Sequence, residues 1–122
     1  MGDSANTIYV NQALQSGTPD EAIASLIAHE ATHADYEYNP QEWIDSTLAL
    51  HPELTLADLH IPGNSIDQEY HAFENMILVW DEVKGDKTDT NMDNWASAYA
   101  QGEDFMKNTI RFVYTGQMLP EY

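Results

Sequence analysis

Signals for the start of a helix recur along this chain and constrain its fold more than any other feature. Three small polar residues, Thr18, Asn39 and Ser65, are each followed three positions later by a glutamate or a glutamine. Such a pair satisfies free backbone N–H groups at a helix N-terminus, and a proline directly follows the first two of these residues, as a helix start allows. The helices predicted in this way cover residues 19–38, 40–51 and 66–84.

The rest of the chain predicts one strand and a further helical stretch. Residues 6–14, NTIYVNQAL, are rich in β-branched and aromatic side chains and predict a short strand. Residues 53–64 predict a turn or short helix and then a loop, and residues 92–114 predict a last helical stretch with a break near Gly102. The predicted fold class is therefore mainly α (α+β), in a single domain that covers residues 1–122.

Composition limits the classes of partner. The chain has 21 acidic residues against 4 lysines and arginines, a formal net charge of −17. This charge repels a phosphate backbone, so we expect no nucleic acid partner, and a cationic or metal-ion partner suits it better. No apolar run approaches the ~20 residues of a membrane-spanning helix, so we expect a soluble chain without a transmembrane segment. There are no cysteines, which excludes a disulfide framework and a thiolate site.

Residues 29–33 read HEATH and lie inside the first predicted helix. His29 and His33 are one helical turn apart on the same face, so both imidazoles can reach one metal ion at about 2.0–2.1 Å. Glu30 is rotated from His29 by about 100°. Its carboxylate can therefore lean over the ion without binding it and serve as general base toward a metal-bound water. The alternative to a zinc-hydrolase site is a polar cluster that neighbouring acids satisfy.

A catalytic zinc needs a third protein ligand and an open coordination position. The residues after His33 read ADYEYN and contain neither glycine nor histidine, which excludes the metzincin pattern. Glu69 is the best candidate for the third ligand, because it lies in the first turn of a predicted helix, where the helix N-terminus favours an ionised carboxylate. His71 and Glu74, from the same helix, are the competing candidates.

The combination of HExxH with a glutamate from a later helix resembles the gluzincin zinc metallopeptidases. The similarity extends from Ile8 to Trp80, and EYHAF at residues 69–73 is similar to the glutamate-helix signature ExxA of that family. The resemblance implies a zincin-like fold with an active-site helix, a glutamate helix and a minimal edge strand before them. It also implies one catalytic Zn²⁺ and a peptide or protein substrate.

The same resemblance implies roles for individual residues. It makes His29, His33 and Glu69 the zinc ligands and Glu30 the general base. Many gluzincins carry an aspartate four positions after the ligand glutamate, where it orients a zinc histidine, and this chain has Phe73 there. The candidates for that orienting role are instead Asp35, Asp67 and Glu74. Candidate donors to the oxyanion are His60, His71, Tyr99 and Tyr114. Tyr9, Val10 and Asn11 of the predicted strand would pair with an extended substrate.

Two other interpretations stay open at this stage. The site could serve another zinc hydrolase, such as an amidase. It could also belong to a zinc-binding domain that is inactive or latent and acts as a binding or regulatory module of a larger protein, for instance with the tail GQMLPEY over the cleft. The negative charge further predicts a preference for basic residues near the cleaved bond. An extracellular or cell-surface location follows from the activity class alone, and the sequence does not determine the oligomeric state.

Overall fold

A computed structural model of the chain describes residues 17–122. Within this range the chain forms α-helices and two short 3₁₀-helices, so the predicted mainly α class is confirmed for this part of the chain. The α-helices are α1 (Asp20–Tyr38), α2 (Pro40–Leu50), α3 (Ile66–Val83), α4 (Thr90–Ala100) and α5 (Glu103–Val113), and the 3₁₀-helices are Leu56–Asp58 and Thr115–Gln117. None of the described helices is both long enough and apolar enough to cross a membrane. The predicted strand at residues 6–14, with Tyr9, Val10 and Asn11, lies outside the described residues.

The helices begin within two residues of the predicted positions, although two of the three predicted caps bond differently. Ser65 accepts a hydrogen bond from a backbone N–H in the first turn of α3, as predicted. At α1 the N-cap is Pro19 and not Thr18, and it makes no side-chain capping bond. Asn39 is the N-cap of α2, but its side-chain amide donates back to Asp35 of α1 at 2.6 Å. The start signals therefore locate the helices without specifying every capping bond.

Helix α3 lies at the centre of the fold and packs against α1, α4 and α5. Its residues Met76, Ile77 and Trp80 are almost completely buried, against Met106 and Ile110 of α5. The spacing of three and four residues along α3 places these side chains on one stripe. Each such side chain stabilises the fold by about 1.5–3 kcal/mol when it leaves water. This packing fixes the rotation of α3 about its own axis relative to α1.

The C-terminal segment holds the first turn of α3. The backbone carbonyls of Pro120 and Glu121 accept hydrogen bonds from the N–H groups of Ile66 and Asp67, at 2.8 and 3.0 Å. These bonds satisfy donors that the start of a helix otherwise leaves free. The buried carboxylate of Asp67 also pairs with Lys107 of α5 at 3.1 Å. The loss of one partner from a buried ion pair costs about 3–5 kcal/mol, so these contacts anchor the start of the predicted glutamate helix.

The loop before α3 depends on a glycine at position 63. Gly63 has a φ of +146°, and a Cβ added there would lie 2.7 Å from the backbone oxygen of His60. Larger residues are therefore excluded on both conformational and steric grounds. The carbonyl of Gly63 accepts a hydrogen bond from the side-chain amide of Gln68, which ties the loop to the first turn of α3.

Candidate metal centre

The three residues predicted to bind metal meet at one point between α1 and α3. The Nε2 atoms of His29 and His33 are 3.3 Å apart. Oε1 of Glu69 lies 3.3 Å from the first of these nitrogens, and Oε2 lies 3.2 Å from the second. Four ligand atoms at about 2.0–2.1 Å from a tetrahedral ion are themselves about 3.3–3.4 Å apart. The two imidazole nitrogens are therefore spaced like one edge of such a tetrahedron, and each of them has a Glu69 oxygen at a similar distance.

Gln68 determines which nitrogen of His33 carries the proton. The side-chain nitrogen of Gln68 donates to the Gly63 carbonyl, so its side-chain oxygen faces the imidazole, 2.7 Å from Nδ1. Because that oxygen can only accept, Nδ1 of His33 is the donor, and in the neutral ring Nε2 keeps its lone pair. In the neutral ring this lone pair is directed at the cluster, and in the protonated ring Nε2 instead donates to the Glu69 carboxylate. Metal-binding histidines usually have this arrangement, with the outer nitrogen held by a second residue.

The Glu69 carboxylate is ionised although it is only 3% exposed. Burial by itself raises the pKa of this carboxyl. Hydrogen bonds from His29 and His33, the charge of His33 and a hydrogen bond from Asn64 outweigh burial, and they hold the pKa well below its ordinary value. The Asn64 amide donates to Oε2 at 2.7 Å, and the Tyr114 hydroxyl donates to Oε1 at 3.2 Å. The site therefore presents a fixed negative charge, which favours a cation.

The groups around Glu69 respond to its charge. Burial lowers the pKa of His33, but the hydrogen bond and the charge of Glu69 raise it above the ordinary value. Burial raises the pKa of Tyr114, and the charge of Glu69 raises it further. The phenol consequently stays protonated at neutral pH and remains a hydrogen-bond donor.

His29 lacks a partner for its outer nitrogen among the described residues. Its Nδ1 is buried and makes no hydrogen bond within residues 17–122. The ring instead packs edge-on against Phe73, with the ring centroids 4.4 Å apart. Phe73 stands where the gluzincin resemblance led us to expect an aspartate, so this position supplies packing to the imidazole in place of a hydrogen bond.

The cluster opens onto a cleft of about 610 Å³. One wall is α1, and the other is formed by residues 62–64, Tyr114 and Gln117. Glu30 is exposed, lines this cleft and has no hydrogen bond or ion pair with the described residues. Its charge acts on both His33 and Tyr114, yet it is not one of the three converging ligands. This position suits a carboxylate that accepts a proton beside a metal ion.

The structure does not bring the three predicted orienting acids against the histidines of the cluster. Asp35 accepts a hydrogen bond from Trp43 of α2 at 2.9 Å, and Asp67 pairs with Lys107 and His71. Glu74 accepts a hydrogen bond from a tyrosine of α4 at 2.6 Å. Asp67 and Glu74, two positions before and five positions after Glu69, point to other sides of α3, because each residue turns the helix by about 100°.

Of the predicted oxyanion donors, only Tyr114 lines the cleft. Tyr99 donates to Glu74 on another side of α3, and His71 lies beside the same acid. His60 contacts the backbone oxygen of Tyr122 near the end of the chain. His71 and Glu74, the competing third ligands, likewise lie away from the two histidines of the motif.

Sequence reasoning missed Gln68 and Asn64, the two residues that hold His33 and Glu69. The pattern assigned Gln68 only to a capping box and Asn64 only to a loop. The only sequence signal for their roles was their position, because Gln68 directly precedes Glu69 and Asn64 directly precedes the N-cap Ser65. Neither position predicts a contact with α1 until the packing of α1 against α3 is known.

We expect Gln68→Leu to lower zinc affinity by about 10–100-fold, the usual cost of losing the partner of a metal-binding histidine. Competition with a chromophoric chelator measures this change. Gln68→Glu keeps an acceptor for Nδ1 of His33 and should lose less affinity, and Gln101→Leu, at an exposed position after α4, serves as control. Equal zinc affinity for wild type and Gln68→Leu would contradict the orienting role.

Comparison of the chain with protein-family models, with characterised proteins and with solved structures found no match. The resemblance to gluzincins therefore rests on the sequence motifs alone.

Proposed function

We propose that this protein is a zinc-dependent metallopeptidase of gluzincin type with a zincin-like fold. The observation that carries the proposal is the convergence of His29, His33 and Glu69, whose ligand atoms lie within 4.8 Å of one another at an open cleft. Two imidazoles and one carboxylate suit Zn²⁺, whereas Mg²⁺ and Ca²⁺ prefer oxygen ligands. Three protein ligands beside an open position are typical of a catalytic rather than a structural zinc site.

Bound Zn²⁺ would supply a water of lowered pKa and would polarise the carbonyl of the substrate. Glu30 then accepts the proton of the attacking water and passes it to the leaving amine. Tyr114 keeps its proton and lines the cleft, so its hydroxyl can donate to the carbonyl oxygen as negative charge develops there. Gln68 and Asn64 hold the ligand side chains in position during this change.

The shape of the cleft supports a peptide or protein substrate. Its volume of about 610 Å³ lies within the range of ligand sites, about 300–1,000 Å³. The cleft is open to solvent, so it leaves room for a peptide chain that continues beyond the reacting bond.

A zinc-binding domain without activity, or in a latent state, is the second candidate. It is favoured by the residues near the C-terminal end of the chain, because Tyr114 bonds a ligand carboxylate and Gln117 lines the cleft. The segment that follows, however, docks on the start of α3 through Pro120 and Glu121. In this arrangement the last residues stabilise the glutamate helix.

Metal content and hydrolysis, measured on the unmodified chain, test the proposal. We expect elemental mass spectrometry to find one zinc per chain after mild dialysis, and we expect the zinc-loaded chain to cleave members of a peptide library in preference to small amides. Failure to retain zinc after reconstitution would contradict the proposal. Zinc retention with no cleavage across the library would favour the inactive module.

A further inference from the structure

We infer that Glu37 selects peptide substrates that carry a lysine or arginine near the cleaved bond. The inference rests on the proposed function and specifies its substrate class. Glu37 lies on α1, four residues after His33 and seven after Glu30, so the three side chains share one face of the helix. Its carboxylate is exposed and lines the same cleft as the candidate metal centre.

Every lysine and arginine of the chain pairs with an acidic residue other than Glu37. The chain contains 4 lysines and arginines in all, each of which has an acidic partner elsewhere. The pairs are Lys84 with Asp81, Lys87 with Glu21, Lys107 with Asp67 and Glu103, and Arg111 with Glu121. No lysine or arginine lines the cleft. No lysine or arginine therefore supplies the counter-charge of Glu37, and a cationic side chain of a bound peptide can supply it.

The charges within the cleft leave Glu37 unbalanced once a divalent ion is counted. Among residues 17–122, the carboxylates that line it are those of Glu30, Glu37 and Glu69. The two positive charges of a zinc ion offset the negative charges of Glu30 and Glu69. Glu37 then provides one remaining negative charge on the wall of the cleft. Since exposed charges are screened over about 8–10 Å, this charge acts on groups bound in the cleft.

The position of Glu37 relative to Glu30 sets the expected spacing along a substrate. Seven residues of helix span about 10 Å. An extended peptide advances by about 3.3 Å per residue, so for a peptide that runs along α1 Glu37 is level with a residue about three positions from the reacting bond. Lysine and arginine side chains are long and flexible. A basic residue two or three positions from the cleaved bond can therefore reach this carboxylate.

A matched set of peptides tests the inference with zinc-loaded protein. The peptides are identical except for lysine, glutamine or glutamate at each position within three residues of the cleaved bond. For the unmodified chain we expect kcat/KM to favour lysine over glutamine by about three- to five-fold at one position, as for an exposed ion pair. Glu37→Gln should abolish this preference by lowering kcat/KM for the lysine peptide. Glu37→Lys should reverse it in favour of glutamate.

The control variant is Glu82→Gln, which makes the same change in net charge at an exposed position on a different groove. It should retain the lysine preference, which separates the local effect of Glu37 from the charge of the whole chain. Equal preference in the unmodified chain and in Glu37→Gln overturns the inference, while continued hydrolysis by both leaves the proposed function intact.

Failure of the proposed function gives a different result. If the zinc-loaded chain cleaves no peptide, fluorescence anisotropy of the same labelled peptides measures binding to the cleft directly. Tighter binding of the lysine peptides that disappears in Glu37→Gln then supports the selective role of Glu37 without hydrolysis. Lysine peptides that bind no more tightly than glutamine peptides overturn it.

Discussion

Glu30→Gln should abolish most peptide hydrolysis and leave the zinc bound. We expect kcat/KM to fall by about 10²–10⁴-fold, the usual contribution of a positioned general base. The amide has nearly the shape of the carboxylate but cannot accept the proton of a metal-bound water. Glu30 is exposed and makes no hydrogen bond or ion pair with the described residues, so the change should leave the free energy of unfolding almost unaltered.

The test of this prediction combines a rate, a metal content and a melting curve. Zinc-loaded Glu30→Gln and Glu82→Gln are compared with the unmodified chain in the hydrolysis of one peptide, by elemental mass spectrometry and by circular dichroism. Normal activity in Glu30→Gln would mean that another group accepts the proton. Loss of zinc from this variant would mean that Glu30 is itself a ligand.

Glu69→Gln should lower the zinc affinity by more than about 100-fold, because the loss of an outer partner of a ligand alone costs about 10–100-fold. The amide removes the single negative charge at the cluster and retains the volume of the buried side chain. We choose glutamine over alanine so that a cavity does not obscure the result. Chelator competition gives the affinity, and the melting temperature shows whether the variant is folded.

Glu74→Gln is the matched control, since Glu74 lies on the same helix and bonds Tyr99 away from the two histidines. It should bind zinc as tightly as the unmodified chain. If Glu69→Gln keeps its affinity while Glu74→Gln or His71→Ala loses it, the third ligand is one of the competing residues that the sequence left open.

The helices and the histidine pair could be predicted because they depend on neighbours along the chain. A cap, a proline and an apolar stripe act within one or two turns, so the starts of α1, α2 and α3 were located within two residues. The positions of His29, Glu30 and His33 relative to one another follow from helix geometry alone. The last helical stretch begins at Thr90, two residues before the predicted start, because Asp89 accepts the capping bond of α4 at 3.0 Å.

The partners of the histidine pair could not be predicted in the same way. The acid of α3 that faces α1 depends on the rotation of α3 about its own axis. The packing of Phe73, Ile77 and Trp80 determines that rotation. That rotation brings Glu69 to the histidines and directs Glu74 to a tyrosine of α4.

The sequence by itself determined the helices and the local spacing of the HExxH motif, since both follow from short-range backbone geometry and capping. The tertiary structure selected Glu69 over His71 and Glu74 and Tyr114 over the other candidate donors, and it alone revealed that Gln68 and Asn64 hold members of the cluster. These contacts join residues that are 5 to 45 positions apart, and their formation depends on how whole helices pack. Side-chain packing in the core sets that arrangement, and no local pattern in the chain encodes it.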